Sequence, residues 1–337
     1  MNWLALDIGG ANIKVADGMG FATAYPFPLW KRHQDLVQEL RRVIAESPPS
    51  DHLVATMTGE LADCFETIEA GVLFILDAFQ QAADGRHTRV YVNDGSLVTP
   101  LVAGRRYEEV AAANWHALSR FSGRFMELGA ALLIDIGSTT CDIIPFRDGL
   151  PTYVGINDTQ RLISGELVYT GIQRSPTCAV CQSVPYRHSL CPVAQEMFAT
   201  TVDAYIILGD LPEDSADHVT ADGRPATKPY ARARLARSIC ASSEQFNHRD
   251  AVVISQAIAE SQAELLSAAI ERVMQRADEM PRSIVVSGHG DFLAQRAIEQ
   301  CSIDAMVISL RQQLGGLVSR CATAHALAVI AQETTGP

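Results

Sequence analysis

The sequence predicts an α/β protein of two domains, and three observations predict it. A unit of apolar strand, Asp-x-Gly turn and second strand occurs twice: Leu-Ala-Leu-Asp-Ile-Gly-Gly-Ala-Asn-Ile-Lys-Val over residues 4–15, and Leu-Leu-Ile-Asp-Ile-Gly-Ser-Thr-Thr-Cys-Asp-Ile-Ile-Pro-Phe over 132–146. The copies align Asp7 with Asp135 and Gly9 with Gly137, which points to a duplicated architecture. Short apolar runs alternate with helical patterns along the rest of the chain, and 337 residues is long for one core.

Each copy places a carboxylate at the end of an apolar strand, where packing has no use for a charge, and follows it with a glycine that lets the backbone turn sharply. Ser138, Thr139 and Thr140 line the second turn with hydroxyls and N–H groups, a shape that suits an anion. In the first copy Ile13 and Val15 alternate with Asn12 and Lys14, so the turn leads into a strand. That argues against a Rossmann loop or a Walker P-loop, both of which open a helix. One Asp-x-Gly is commonly only a turn; two in matching contexts are the signal. Asp7 and Asp135 are the candidate acids, and Gly9, Gly10, Asn12, Lys14, Gly137, Ser138, Thr139 and Thr140 the candidate phosphate contacts.

Residues 34–45 read as a helix with Leu36, Val37, Leu40, Val43 and Ile44 on one face, ended by Ser-Pro-Pro-Ser. Residues 53–57 read as a strand that turns at 58–63 into a helix capped by Thr58 or Gly59. Gly71 interrupts, 72–82 is a further helix, 89–92 a strand, and 108–119 a helix carrying Asn114, Trp115 and His116. The first α/β domain spans 1–128 and the second 129–337, with an insertion at about 175–250. Within the second, 176–191 is loop-like and 193–208 a helix with Pro192 near its start and Gly209 past its end. A short basic helix follows at 231–240, and Asp250 caps a long one. Residues 283–287 form a buried strand turned by Gly288-His289-Gly290 into a helix, 306–308 a strand, and Gly315-Gly316 precedes the last helix.

The formal net charge of −12 argues against a nucleic-acid partner, and no apolar run reaches the roughly 18 residues of a bilayer span. A strand begins within three residues of the start, with no signal-peptide pattern, so a cytoplasmic protein is expected. The eight cysteines are then thiols or metal ligands. Cys178-x-x-Cys181 with His188 and Cys191 is a candidate Cys₃His zinc set. A homo-oligomer is left open.

The facing Asp-Gly hairpins resemble the actin-like ATPase superfamily, whose fold is ribonuclease H-like and whose hairpins hold phosphates beside a magnesium ion. Further motifs follow in order: Thr56-Met57-Thr58-Gly59-Glu60-Leu61-Ala62-Asp63, Ala113-Asn114-Trp115-His116, Phe198-Ala199-Thr200-Thr201, Thr220-Ala221-Asp222-Gly223-Arg224 and Arg234-Leu235-Ala236-Arg237. Together they resemble the hydantoinase/oxoprolinase-related group and, more narrowly, tetrahydromethanopterin-linked one-carbon transfer pathway proteins. Archaeal relatives in that group include the methanofuran-biosynthesis synthase.

The resemblance implies a transferase that condenses an aminomethylfuran diphosphate with a glutamyltyramine- or tyrosine-type phenol and releases pyrophosphate. Mg²⁺ near Asp7 and Asp135 would neutralise the leaving group. Glu60 and Asp142 are the candidate bases for the phenol, and Thr58, Asn114, Trp115, Asp222 and Arg224 the candidate substrate contacts. Gly288 and Gly290 match where actin-like ATPases seat adenosine, so the use of ATP stays open. An ATP-dependent hydantoinase/oxoprolinase-type hydrolase or small-molecule kinase, which would turn over ATP, is the alternative enzyme. A nucleotide-binding protein without turnover is the non-enzymatic one.

Overall fold

The computed structural model describes residues 2–126 and 128–335. In the first sheet β1 (Trp3–Ile8) is central and fully buried. The antiparallel β2 (Asn12–Ala16) and then β3 (Ala22–Pro26) lie on one side. On the other side β4 (His52–Met57) and β5 (His87–Tyr91) run parallel to it, and the short β6 (Leu97–Val98) forms the edge.

The second sheet repeats this plan. Its β7 (Ala130–Ile136) pairs antiparallel with β8 (Cys141–Arg147), which β9 (Leu150–Pro151) and β10 (Leu167–Val168) extend. After a separate hairpin of β11 (Ser183–Tyr186) and β12 (Ser189–Pro192), β13 (Ser283–Gly288) and β14 (Met306–Ser309) add parallel strands on the other side of β7.

The repeat extends to single hydrogen bonds. Gly9 N–H donates to the Asn12 carbonyl at 3.0 Å, and Gly137 N–H to the Thr140 carbonyl at 2.9 Å. Thr58 and Gly59 donate to the Ile8 carbonyl as His289 and Gly290 donate to that of Ile136. Asp7 stands opposite Lys14 in register, and Asp135 opposite Asp142. The two sheets thus repeat one plan down to the turn, the duplicated α/β architecture that the sequence leads one to expect.

One face of the first sheet is covered by helices Leu36–Ala45 and Ile68–Ala83. One face of the second is covered by His248–Met274 and Asp291–Gln300. The other faces share two helices that pack on each other, Asn114–Ser122 and Ala322–Thr335. Trp115, Leu118 and Phe121 of the first helix cluster with Leu133, Ile144, Phe146 and Val285 of the second sheet. Leu327, Ala328 and Ala331 of the last helix cluster with Trp3, Ala5, Val54 and Tyr91 of the first sheet. Each half thus lends its final helix to the other. A third core, with Val184, Ile206, Leu235 and Ile254, holds the inserted hairpin against helices Thr201–Leu208, Lys228–Ser238 and the start of His248–Met274.

Four local expectations are corrected. Residues 58–63 are turn, and the helix begins at Ile68, where the Thr67 side chain accepts from Ala70 N–H. That helix runs unbroken through Gly71, because the Glu60 backbone presses on it: a Cβ there would lie 2.5 Å from the Glu60 carbonyl oxygen. The segment 108–119 is split, with Tyr107–Val110 ending before Ala112 (φ +48°) and Asn114–Ser122 beginning after it. Helix Thr201–Leu208 starts eight residues later than the 193–208 pattern suggests, because it is there that the Asp203 side chain reaches back to accept the Thr200 N–H at 3.0 Å. Among the described residues no helix is long and apolar enough to cross a membrane.

Candidate active site

The ends of β1 and β7 meet across a cavity of about 280 Å³. Asp7, Gly9, Gly10, Asn12, Lys14 and Thr58 line it from the first half, and Asp135, Gly137, Ser138, Thr139, Thr140 and Asp142 from the second, with Asn114 from the helix between. The two Asp-Gly turns therefore face one cleft, as the repeat predicts.

The charges at its base are interlocked. Lys14 Nζ lies 3.7 Å from Asp7 Oδ2, which also accepts a short hydrogen bond from Thr323 Oγ1. Burial disfavours the Lys14 ammonium, but Asp7 and then Asp135 outweigh it and hold its pKa above the ordinary value. Asp135 is pushed up to about 6, first by burial and then by the like charge of Asp142. Asp7 is 2% exposed, and its Oδ1 has no hydrogen-bond partner among the described residues. A buried carboxylate oxygen left unpaired beside a second carboxylate is a donor set that fits a hard divalent cation. No group of three or more His, Cys, Asp or Glu among the described residues is arranged as metal ligands. A magnesium ion at Asp7 and Asp135 would then take most of its ligands from water, as that ion prefers.

Asp142 is held in an ion pair. The Arg161 guanidinium donates to its Oδ1 at 2.7 Å and to the Glu166 carbonyl at 3.1 Å, and lies 4.1 Å over the Trp115 ring. Arg161 is 1% exposed and lines the cleft with Asp158, whose Oδ1 lies 3.6 Å from its Nη1. Glu60 lies beside the cleft and is not among its lining residues. It accepts the Ala112 N–H at 2.9 Å, its Oε2 has no partner among the described residues, and burial lifts its pKa to about 7. It braces the strained turn that carries Asn114 into the cleft.

Other expected site residues are not brought there. Trp115 is 2% exposed and packs in the inter-sheet core, where it supports Arg161. Asp222 pairs with Arg234 at 2.9 Å and Arg237 at 3.0 Å, tying down the insertion, and Arg224 lies against Tyr230. Gly288 and Gly290 serve close packing: a Cβ on either would lie 2.2 Å from Ile136 O or 2.4 Å from Ile136 Cγ2. The zinc expectation is also corrected. Cys181 is buried in the insertion core with Cys178 and Cys191 packed on it, whereas His188 is exposed in the turn of the β11–β12 hairpin. These thiols fill an apolar core.

The sequence reading missed Thr323, Arg161, Asp158, Trp30, Tyr169 and Arg174, which all line the cleft. Thr323 sits in an alanine-rich helix with no local signal. Arg161 was open to notice, since an Asn157 cap and Asp158 announce its helix, whose N-cap bond runs from Gln160 N–H to Asn157 Oδ1.

A family model described as hydantoinase/oxoprolinase matches residues 51–333. A protein of Methanocaldococcus jannaschii is 30% identical over 336 residues, covering 98% of this chain and 97% of its own length. It is named as the synthase of a furan-2-yl methanamine bearing a γ-glutamylaminoethyl-phenoxymethyl arm. A protein of the same name from Methanococcus vannielii is 26% identical, covering 59% of this chain and 89% of its own. Among solved structures, a ROK family glucokinase from Streptomyces griseus, in complex with glucose and AMPPNP, aligns over 99% of this chain and 100% of its own at 13% identity and a TM-score of 0.49. With the family model matched from residue 51 to 333 and a relative of that identity along nearly its whole length, the chain belongs to the hydantoinase/oxoprolinase family.

Proposed function

We infer that this chain is a transferase of the methanofuran-synthase type. It joins an aminomethylfuran diphosphate to the phenol of a glutamyltyramine- or tyrosine-type acceptor and releases pyrophosphate, for tetrahydromethanopterin-linked one-carbon metabolism. The relationship to the Methanocaldococcus synthase supports this reading. The observation that carries it is the cleft, where the two Asp-Gly turns and Lys14 converge on two carboxylates, Asp7 buried and Asp135 half-buried. In this reading the cleft lies between units 1–128 and 129–337, the second bearing the insertion at about 175–250.

The N–H groups of turns 9–12 and 137–140, with the Ser138, Thr139 and Thr140 hydroxyls, bind the diphosphate oxygens, and Lys14 balances their charge. Magnesium at Asp7 and Asp135 would neutralise further charge on the leaving pyrophosphate. The furfuryl C–O bond breaks and its electron pair leaves with the diphosphate. The phenol oxygen forms the new C–O bond, and its proton passes to Asp142, the cleft-lining member of the two candidate bases. Arg161 holds that carboxylate in place, while Thr58 and Asn114 border the acceptor.

The test is mass spectrometry of products from an aminomethylfuranmethanol diphosphate and γ-glutamyltyramine with magnesium, with pyrophosphate assayed in parallel. The aryl-furfuryl ether with equimolar pyrophosphate is expected. Its absence, with phosphate released from ATP instead, would move the chain to the ATP-dependent hydrolases or kinases.

A further inference from the structure

The segments that follow each half's hairpin lie back on the two Asp-Gly turns in parallel ways. Phe27 N–H donates to the Ala11 carbonyl and Leu29 N–H to that of Gly10, both at 2.9 Å. Ile172 N–H donates to the Gly137 carbonyl, and Gln173 and Arg174 N–H to that of Ser138, at 3.0–3.1 Å. Gly171 permits this approach, since a Cβ there would lie 2.4 Å from Thr139 N. Trp30 therefore hangs from the first turn and Arg174 from the second. Their side chains meet, with the Arg174 guanidinium carbon 4.3 Å from the Trp30 ring centroid. Both line the cleft; Trp30 is half-buried and Arg174 exposed, so the contact sits at the mouth.

We propose that Trp30 and Arg174 form a clamp over the reacting carbon that excludes water and so makes the phenol, not water, the acceptor. The proposal rests on the transferase reading above. A furfuryl carbon losing diphosphate accepts any nearby oxygen nucleophile. If water attacks, its oxygen forms the C–O bond, a proton goes to the base, and furan methanol results in place of the ether. The cation–π contact bridges the two halves and is the closure the two turns share.

The experiment compares wild type, Arg174→Gln, Trp30→Leu and Trp30→Phe, with magnesium, the furfuryl diphosphate and γ-glutamyltyramine. Ether and furan methanol are quantified together after subtraction of the enzyme-free reaction. Arg174→Gln and Trp30→Leu should raise the methanol-to-ether ratio about fivefold, and Trp30→Phe, which keeps a ring face, should raise it less. Arg174→Gln alters an exposed side chain and decides the matter if Trp30→Leu fails to fold by circular dichroism. Ether from all variants at the wild-type ratio overturns the clamp, whatever happens to the rate. No ether from wild type overturns the transferase reading itself, and the clamp with it.

Discussion

Asp7 and Asp135 occupy equivalent places in the two hairpins, yet their surroundings differ. Asp7 faces Lys14 and Thr323, whereas Asp135 faces Asp142. Asp135, with a pKa near 6 against an ordinary 3.8, costs the folded state increasingly as pH rises through that window. Asp135→Asn should therefore raise the melting temperature in metal-free buffer at pH 7.5 and leave it unchanged near pH 4. Asp7→Asn should bring no such gain, because it removes the Lys14 partner. Each variant should lose turnover by about 10², the equivalent of ~3 kcal/mol of electrostatic stabilisation. Thermal melts and product assays together check both; near-wild-type turnover in both would reduce the hairpins to mere turns. Glu60 behaves likewise: its penalty is absent below about pH 4.5 and complete above about 7, so Glu60→Gln should stabilise at pH 8 and not at pH 4. The repeated Asp-x-Gly pattern made these carboxylates legible, but the partners that tune them were not, because Thr323 is 316 residues from Asp7 and no local period links them.

At the scale of elements, strands were easiest to read, since β1, β4, β7 and β13 are buried apolar runs with clear ends. Helix boundaries were hardest wherever tertiary contact overrode propensity. Gly71 looks like a breaker, but it lies inside helix Ile68–Ala83 because Glu60 leaves no room for a side chain. Gly→Ala inside a helix ordinarily stabilises by about 1 kcal/mol. Here Gly71→Ala should destabilise instead, by roughly 1–3 kcal/mol, since the obstacle is backbone rather than a flexible side-chain end. Urea denaturation settles the sign, and a raised midpoint would contradict the packing described. The insertion misled in the opposite way. Its C-x-x-C spacing is the kind that zinc sites use, but Cys181 lies in an apolar core that also holds Val184, Val202 and Phe246.

For the molecule as a whole, the duplicated α/β plan was legible from the internal repeat, but the exchange of final helices was not, because nothing in either helix's sequence states which sheet it covers. The exchange predicts one cooperative unfolding transition, with calorimetric and van't Hoff enthalpies agreeing, and neither 1–128 nor 129–337 folding alone. Two separated transitions would refute it. The crossed helices also have a mechanical meaning. If the halves rock apart, the helices that both share are the natural axle, and a point moves in proportion to its distance from the axle. Thr323 rides on one of them and Asn114 begins the other, so the Thr323–Asp7 contact travels least when the jaws part. Trp30 and Arg174 sit at the mouth and would travel furthest, so such a rotation would part the mouth while the charged base stayed set.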